Sequence, residues 1–219
     1  MTKPVLGAVS NVSTGLCVTW TKVTGATGYR IYRKESSGWK LIQSITKGST
    51  LSYIDKTAVA GKKYTYTVRA YNNYVTSGYD ATGKTYMRIA TPSISSISTS
   101  TNAATVKWNK VTGATGYHIY RRKNSNSWAK VGTVSNGSTV QYADKNLLSG
   151  TKYSYAIVAY NGSYTSYRDT TGVASYTTPD KVTLKSLSNS EGGVTIKWNK
   201  VSAGDGYRTY RKLSTDKSS

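Results

Sequence analysis

The sequence predicts an all-β protein made of tandem antiparallel β-sandwiches. A phrase that begins at Val18 and ends at Lys34 returns in near copy at 106–123 and again at 196–212. Repetition at a period of about 90 residues is typical of an array of similar units rather than one large domain. Apolar and polar residues alternate inside the copies, and no helix-length window keeps a period of 3.6 residues, so each unit is predicted to consist of strands.

The repeat also predicts where the units begin and end. Residues 1–90 and 91–178 each span one period, and we call them module 1 and module 2. Pro92 and Pro179 follow threonine at the two joins, where a strand can start without a ladder N–H. Residues 179–219 are predicted to form an incomplete third unit with only its first three strands. A unit of about 40 residues rarely buries enough apolar surface to offset the conformational entropy lost on folding. We therefore expect this sequence to be a fragment of a longer array.

The strands of module 1 follow from its alternating segments. Leu16–Trp20 alternates apolar and polar residues, which indicates a strand with one buried face. Two glycines permit a turn before Tyr29–Arg33 resumes the alternation and points Tyr29 and Ile31 inward. The other predicted strands cover Trp39–Ile45, Leu51–Tyr53, Tyr64–Tyr71 and Lys84–Ile89, and the segment Met1–Leu6 is predicted to be the first strand of the module, which makes seven. On the longest of them, Thr67 is expected to face outward.

Module 2 repeats these segments at matched positions. After its own tryptophan-bearing strand and Tyr-x-Ile strand, the predicted strands cover Trp128–Val134, Val140–Tyr142, Tyr153–Tyr160 and Val173–Thr177. Seven short strands with turns at intervals of about 8–12 residues are typical of an antiparallel β-sandwich. We therefore predict the same seven-stranded sandwich for both complete modules.

Three motifs carry a resemblance to a known family. A tryptophan stands on an early strand of each copy, at Trp20, Trp108 and Trp198, and a Tyr-x-Ile pattern follows the first two. The segments Ala58–Asn72 and Leu147–Asn161 each carry a glycine, then a tyrosine, then an alternating strand that ends in Ala-Tyr-Asn. With these motifs each unit resembles a fibronectin type III module, specifically the tyrosine-rich kind found in tandem in bacterial secreted and cell-surface proteins. The resemblance implies that all three tryptophans are core residues.

The same resemblance assigns a structural role to two tyrosines. Tyr64 and Tyr153 would be tyrosine-corner residues, whose hydroxyls bond backbone nearby. The family's usual proline at this corner is Ala60 in module 1 and Ser149 in module 2, and its usual leucine is Ala58 in module 1. We therefore expect weaker packing at the corner of module 1.

The charge of the chain indicates a class of partner but no fold. Thirty lysines and arginines face nine acidic residues, which gives a formal net charge of +21. A positive field of this size attracts anionic partners. Two interpretations stay open: a solvated surface that keeps an array soluble, or a surface that binds an anionic polymer or nucleic acid.

The residues that carry catalysis or bind metals are sparse. Cys17 is the only cysteine and His118 the only histidine, so no internal disulfide, thiolate metal site or histidine-based triad is expected. The acids are scattered, and Asp55 and Asp80 recur in module 2 beside turns, where turn stabilisation is the expected role. We predict no catalytic residue, no metal site and no cofactor, and hence no enzyme.

The candidate ligand contacts are outward-facing aromatic and cationic residues. On the two central strands of the predicted sheets and beside their turns, these residues are Arg30, Tyr32, Trp39, Arg69, Tyr71, Tyr120, Arg122, Trp128 and Tyr160. Arginine supplies forked hydrogen bonds and tyrosine a flat apolar face, which together suit sugars or anionic polymers. The alternative is cross-strand stabilisation worth about 0.2–1 kcal/mol per pair without any ligand. Trp39 and Trp128 could stack on sugars or serve as lids over the sandwich edge.

These observations predict a non-catalytic role. The resemblance implies an extracellular or cell-surface spacer and binding array in a larger bacterial protein, with polysaccharide or anionic wall polymer as partner. The alternative is a polyanion or nucleic-acid binder driven by the positive charge. The sequence contains no run of 18 apolar residues, so it predicts no membrane span. The segment that begins at Met1 lacks the apolar core of a signal peptide.

Overall fold

The computed structural model describes residues 1–201 and 204–213. Across those ranges the chain forms seventeen β-strands, and no described residue is helical. Residues 202, 203 and 214–219 of the predicted third unit lie outside the described residues. The predicted all-β class is confirmed.

Module 1 consists of seven strands in two antiparallel sheets. The strands are β1 (Leu6–Val12), β2 (Gly15–Trp20), β3 (Gly28–Glu35), β4 (Gly38–Ile45), β5 (Ser52–Asp55), β6 (Lys63–Tyr71) and β7 (Lys84–Met87). One sheet has the order β1-β2-β5 and the other the order β4-β3-β6-β7. Between them lies a core that includes Val18, Trp20, Ile31, Tyr66 and Val68, all buried. The alternation in the sequence therefore places one face of each sheet in a shared interior.

Module 2 repeats this topology. Its strands are β8 (Ile94–Thr99), β9 (Ala104–Trp108), β10 (Gly116–Lys123), β11 (Ala129–Val134), β12 (Gln141–Asp144), β13 (Lys152–Asn161), β14 (Tyr164–Thr165) and β15 (Val173–Tyr176). The sheets have the orders β12-β9-β8 and β11-β10-β13-β14, with β15 also paired to β13. The two-residue β14 is the one addition to the pattern of module 1. The predicted tandem antiparallel sandwiches are confirmed.

In each complete module a tyrosine hydroxyl accepts a hydrogen bond from the loop that joins the second strand of the module to the third. The Val23 N–H donates to the Tyr29 hydroxyl at 3.0 Å, and the Val111 N–H donates to the Tyr117 hydroxyl at 3.1 Å. Gly25 has φ +78°, which favours glycine because other residues rarely adopt the left-handed region. The loop between the strands is therefore closed by the side chain that follows it.

The tyrosine corners differ between the modules. The Val59 N–H donates to the Tyr64 hydroxyl at 3.0 Å, and the Leu148 N–H donates to the Tyr153 hydroxyl at 3.1 Å. Tyr64 is half-buried, whereas Tyr153 is buried. Leu147 packs in the core of module 2 with Tyr153, whereas module 1 has the smaller Ala58 at the equivalent position. The corner of module 2 therefore buries more apolar surface than that of module 1.

The third unit is less complete than predicted within the described residues. It forms one two-stranded sheet from β16 (Leu184–Ser190) and β17 (Gly193–Trp198). The third strand expected from Tyr207 onward is not formed among the described residues. Trp198, expected in a core, is only half-buried, with its ring 5.2 Å from that of Tyr207. The reason is that the described part of this unit contains no second sheet to cover it.

Modules 1 and 2 meet through a buried polar network. The Asn11 Nδ2 donates to the carbonyls of Met87 and Thr165, each at 2.9 Å, while its Oδ1 accepts from the Ile89 N–H and from Arg88 Nη1, each at 3.1 Å. All four hydrogen-bonding positions of this amide are thus occupied. Met87 and Ile89 also pack in the core of module 2, so the end of the first module contributes to the interior of the second.

Aromatic contacts reinforce this junction at its surface. The Tyr86 ring meets the Tyr164 ring edge-on at 5.1 Å, and the Tyr86 hydroxyl accepts from the Thr165 N–H at 3.4 Å. Lys63 Nζ lies 5.4 Å from the centre of the Tyr164 ring. These contacts, together with the residues that module 1 contributes to the core of module 2, restrict the rotation of one module relative to the other.

Candidate binding surface

The outer face of the four-stranded sheet in module 1, which we call face 1, carries paired cations and aromatic rings. Arg30 and Arg69 stand directly opposite each other on β3 and β6, where like charges repel. Each guanidinium turns to a different ring: Arg30 lies 4.7 Å from the Tyr71 ring and Arg69 lies 5.5 Å from the Tyr79 ring. Cation–π contacts thus separate two charges that the strand register brings together.

Tyr71 lies flat on the sheet rather than projecting into solvent. Its ring passes over Gly28, where a Cβ would come within 2.6 Å of Tyr71 Cζ, and its hydroxyl donates to the Ile45 carbonyl at 3.2 Å. Arg30 covers the other side of the ring and donates to Thr76 Oγ1 at 3.2 Å. These contacts stabilise the sheet, and both side chains remain half-buried on face 1.

A cleft of about 220 Å³ opens beside this pair, lined by Tyr32, Trp39, Thr67, Arg69 and Tyr79. Thr67 lies on the outer side of the sheet with Tyr32 and Arg69, as the alternation predicts, but only 1% of its surface is exposed. Its Oγ1 donates to the Asp80 carbonyl at 2.8 Å, so the loop between β6 and β7 covers it. Thr67 therefore forms the floor of the cleft.

Trp39 both covers the sheet edge and lines the cleft. A Cβ at Gly83 would come within 2.7 Å of Trp39 Cη2, so the indole lies against that glycine. The Tyr79 ring meets the indole edge-on at 6.2 Å, and Lys34 Nζ lies 5.9 Å from its centre. Because Trp39 covers the sheet edge and also lines the cleft, the lid role and the sugar-stacking role are compatible in this one position.

The corresponding surface of module 2, which we call face 2, has similar chemistry in a different arrangement. Val158 takes the place of Arg69, and Arg168 takes the place of Tyr79. Arg168 lies 4.8 Å from the Tyr120 ring, so the cation comes from the loop and the ring from the strand. A cation–aromatic contact is thus retained, but its ring is that of Tyr120 on β10, the counterpart of Tyr32 on β3.

The other side chains of face 2 are engaged with one another. Arg122 lies 4.8 Å from the Trp128 ring and donates to the Thr171 carbonyl at 3.0 Å, while Trp128 Nε1 donates to the Thr170 carbonyl at 3.3 Å. His118 stacks on Tyr160 at 4.5 Å. Burial, together with the charge of Lys130, lowers the pKa of His118 below its ordinary value, which favours the neutral imidazole in this stack.

The arginines that recur at the end of β3 and β10 are structural. Arg33 Nη1 donates to Asp55 Oδ2 at 3.0 Å, the Tyr66 hydroxyl donates to the same oxygen at 2.7 Å, and the Thr57 N–H donates to Oδ1 at 2.9 Å. Burial alone would raise the pKa of Asp55, but the hydrogen bonds from Thr57, Tyr66 and Arg33 outweigh it and lower that pKa. Burial and the bond to Asp55 raise the pKa of Tyr66.

Module 2 repeats this network. Arg121 Nη1 donates to both carboxylate oxygens of Asp144, at 2.9 and 2.8 Å, and the Tyr155 hydroxyl donates to Asp144 Oδ2 at 2.8 Å. Burial, followed by the bond to Asp144, raises the pKa of Tyr155. These acids therefore tie the two sheets of each sandwich together.

Asp80 and Asp169 stand in turns, as their positions in the sequence suggested. Asp80 Oδ1 accepts from the Thr82 N–H at 3.0 Å, and Asp169 Oδ1 accepts from the Thr171 N–H at 2.8 Å. Within residues 1–201 and 204–213, no group of three histidine, cysteine, aspartate or glutamate side chains could hold a metal ion. The same ranges contain no helix long and apolar enough to cross a membrane.

Two side chains of the binding surface were missed by the sequence analysis. Tyr79 and Arg168 lie in irregular loops, where spacing carries no information on facing. The one available signal is that each stands directly before a recurring aspartate, at Asp80 and Asp169.

Trp20 and Trp108 are buried, and their Nε1 atoms have no hydrogen-bond partner among the described residues.

Comparison with known proteins finds a relative of similar sequence and solved structures of similar fold. No family model matches the chain. Exoglucanase B of Cellulomonas fimi is 27% identical over 215 residues, which cover 85% of this chain and 18% of that protein. This chain thus spans less than a fifth of the length of that relative. The fibronectin type III-like fold predicted for both complete modules is confirmed by their strand order.

Two of the similar solved structures are tandem segments from chicken proteins. The CNTN1 FN1–FN3 domains are 19% identical with a TM-score of 0.42, covering 81% of this chain and 67% of that chain. The two fibronectin type III domain segment of tenascin is 22% identical with a TM-score of 0.38, covering 80% of this chain and 98% of that chain. At these identities the likeness concerns the fold alone.

Proposed function

We propose that the chain is a non-catalytic, extracellular spacer and binding array within a larger bacterial surface or secreted protein. Its modules at 1–90 and 91–178, followed by the partial unit at 179–219, present weak contact surfaces to carbohydrate or wall polymer. The observation that supports this most directly is the retention of a cation–aromatic surface on both complete modules. Arg69 on Tyr79 in face 1 becomes Arg168 on Tyr120 in face 2.

The chemistry of the two faces suits a sugar polymer. Aromatic rings offer flat apolar area for the faces of sugar rings, and arginine offers donors for hydroxyl and carboxylate oxygens. A single face of this size binds weakly, but two linked faces raise the effective affinity because the second contact becomes intramolecular. Repetition thus compensates for the weakness of each site.

The junction between the modules supports the spacer role. The buried Asn11 amide joins β1 to Met87 and to Thr165 across the two modules. A defined junction holds neighbouring parts of the parent protein at a fixed separation, unlike a flexible linker. The kinship with an exoglucanase agrees with a polysaccharide-associated, extracellular setting.

Affinity electrophoresis of the intact chain tests this proposal. Gels would contain a soluble neutral β-glucan, a wall polysaccharide or neither, each at low and high salt. We expect the polysaccharide to retard the chain, and the double variant Tyr32→Ala with Tyr120→Ala to lose most of that retardation. Tyr210→Ala, which removes an exposed tyrosine of the third unit and leaves both faces intact, serves as control. Migration unchanged by every glycan would leave a spacer without contact surfaces.

A second function, polyanion or nucleic-acid binding, is favoured by one specific observation. Thirty basic residues face nine acids, and the ion pairs of the described residues engage Glu35, Asp55 and Asp144 alone. Most of the positive charge is therefore uncompensated. A binder of this kind loses affinity linearly on a log–log plot of salt, with a slope of about −0.7 to −0.9 per phosphate contacted, whereas neutral-glycan binding hardly responds to salt.

A further inference from the structure

We infer that the cleft of face 1 is a binding site for a single carboxylated sugar residue, such as a uronic acid in a polysaccharide. This inference rests on the proposed carbohydrate contact and assigns it a substrate class and a location. The cleft is lined by Tyr32, Trp39, Thr67, Arg69 and Tyr79.

The cleft contains hydrogen-bond donors that the protein itself does not use. Arg69 Nε donates to the Ser77 carbonyl at 2.7 Å, which fixes the guanidinium, but Nη1 and Nη2 have no acceptor among the described residues. Arg69 takes part in none of the ion pairs of the described residues, so no described carboxylate lies within ion-pair distance of it. The Tyr32 hydroxyl and Trp39 Nε1 also have no bonded partner in the described ranges. A guanidinium held at Nε with its outer edge open is prepared for a planar, doubly accepting anion.

The shape of the cleft selects a ring rather than an extended chain. Its volume of about 220 Å³ is below the roughly 300–1,000 Å³ of sites that enclose drug-sized ligands. The rings of Trp39 and Tyr79 meet edge-on at 6.2 Å and form an aromatic wall against which the apolar face of a sugar can stack. A ligand that matches both features has one flat ring and one carboxylate.

Face 2 lacks this combination, although its composition is similar. Val158 stands where Arg69 stands in face 1, so no guanidinium rises from the strand. Trp128 Nε1 and Arg122 Nη2 are bonded to loop carbonyls, and Arg168 covers the Tyr120 ring. The indole donor that is open in face 1 is thus bonded in face 2. The guanidinium of face 2, that of Arg168, has no hydrogen bond among the described residues that would fix it as the Ser77 carbonyl fixes Arg69.

Calorimetric titration of the intact chain with trigalacturonate and with its methyl ester tests the inference, since esterification removes the negative charges and keeps the sugar rings. We expect one site per chain for the acid and a markedly weaker response to the ester. Arg69→Gln should weaken acid binding about tenfold or more, because it removes a charged donor pair. Lys107→Gln, which removes one positive charge from the exposed side of β9 in the other sheet of module 2, should leave the affinity unchanged.

A second readout locates the site independently of the arginine variants. The Trp39 indole N–H resonance should shift on addition of the acid, whereas that of Trp128 should stay in place. Trp39→Phe retains an aromatic wall but removes the indole donor, so it should weaken binding without unfolding module 1, as checked by circular dichroism.

Several results would overturn the assignment. Equal binding of the acid and the ester would remove the carboxylate preference, and an equal loss in Arg69→Gln and Lys107→Gln would reduce the effect to net charge. If neither probe binds but neutral glucan still retards the chain in gels, the inference fails while the proposed function stands. Absence of every glycan contact would remove this inference and the proposed contact surfaces, and would leave the spacer role alone.

Discussion

Asn11 and Thr165 belong to different modules, yet the Asn11 Nδ2 donates to the Thr165 carbonyl at 2.9 Å. The same amide accepts a hydrogen bond from Arg88 Nη1 at 3.1 Å, and both side chains are buried. Arg88 further donates to the carbonyls of Val12 and Ser13. Burial of a guanidinium is costly unless its donors are bonded, and here the junction itself supplies the acceptors. Folding of module 1 and docking of module 2 are therefore linked.

Asn11→Ala is expected to weaken this junction. It leaves the Ile89 N–H without its acceptor and the Thr165 carbonyl without the Asn11 donor in a buried site, at a cost of about 1–3 kcal/mol in the free energy of unfolding. Denaturant unfolding measures the cost, and small-angle scattering should show a broader range of intermodule arrangements. Asn189→Ala is the matched control, because Asn189 occupies the equivalent ladder position of the third unit but is exposed. An equal effect of the two variants would contradict the linkage.

The two tyrosine corners should respond unequally to loss of the hydroxyl. Tyr153→Phe strands the Leu148 N–H beside a buried ring, whereas Tyr64→Phe strands the Val59 N–H beside a half-buried one that water can reach. We expect each variant to lower the free energy of unfolding by about 0.5–1.5 kcal/mol, with the larger loss in Tyr153→Phe. Urea titrations of both single variants check this order, and a larger loss in Tyr64→Phe would contradict it.

The strands were predictable because their cause is local. Period-two alternation places Tyr29 and Ile31 on the buried face of β3, and the structure finds both fully buried. The floor of the cleft was not predictable, because Thr67 is hidden by a loop whose path the alternation of β6 does not encode. Alternation describes the two faces of a strand but not what covers them.

The junction and the cleft depend on contacts between distant segments. Asn11 continues an ordinary strand pattern, and only the approach of residues 87–89 and of Thr165 makes its amide a buried node. Tyr79 and Arg168 lie in loops of irregular conformation, so their convergence with Arg69 and Tyr120 has no periodic signal. In module 1 the cation of this contact comes from a strand and the ring from a loop, and in module 2 the cation comes from a loop and the ring from a strand. Only the three-dimensional structure shows this difference.

Stability should fall in acid through the carboxylate of Asp55. Its pKa is lowered in the folded state, so its stabilising contribution is fully present above the unfolded value of about 3.9 and is lost as pH falls through the lower folded pKa. Unfolding free energies measured from pH 7 to pH 2 should show this decline. Asp55→Asn should reduce the decline and cost about 3–5 kcal/mol at pH 7, since Arg33 loses a buried partner.

Asp80→Asn is the control for that measurement. Its side chain caps the Thr82 N–H through Oδ1, and an amide oxygen can accept the same bond. We expect the acid dependence of Asp80→Asn to follow that of the unaltered chain. A decline that is equally reduced in both variants would show that the dependence arises from general charge repulsion among the many cations rather than from the bonded Asp55 carboxylate.

The repeated tryptophans separate the effect of burial from that of ring contact. Trp20 lies 5.4 Å from the Tyr29 ring and Trp198 lies 5.2 Å from the Tyr207 ring, but only Trp20 is buried between two sheets. Trp20→Ala should cost about 3–5 kcal/mol in the free energy of unfolding, whereas Trp198→Ala should leave the main denaturation midpoint nearly unchanged. Circular dichroism during denaturation measures both. Equal losses would show that the third unit is packed as firmly as module 1, contrary to its half-buried tryptophan.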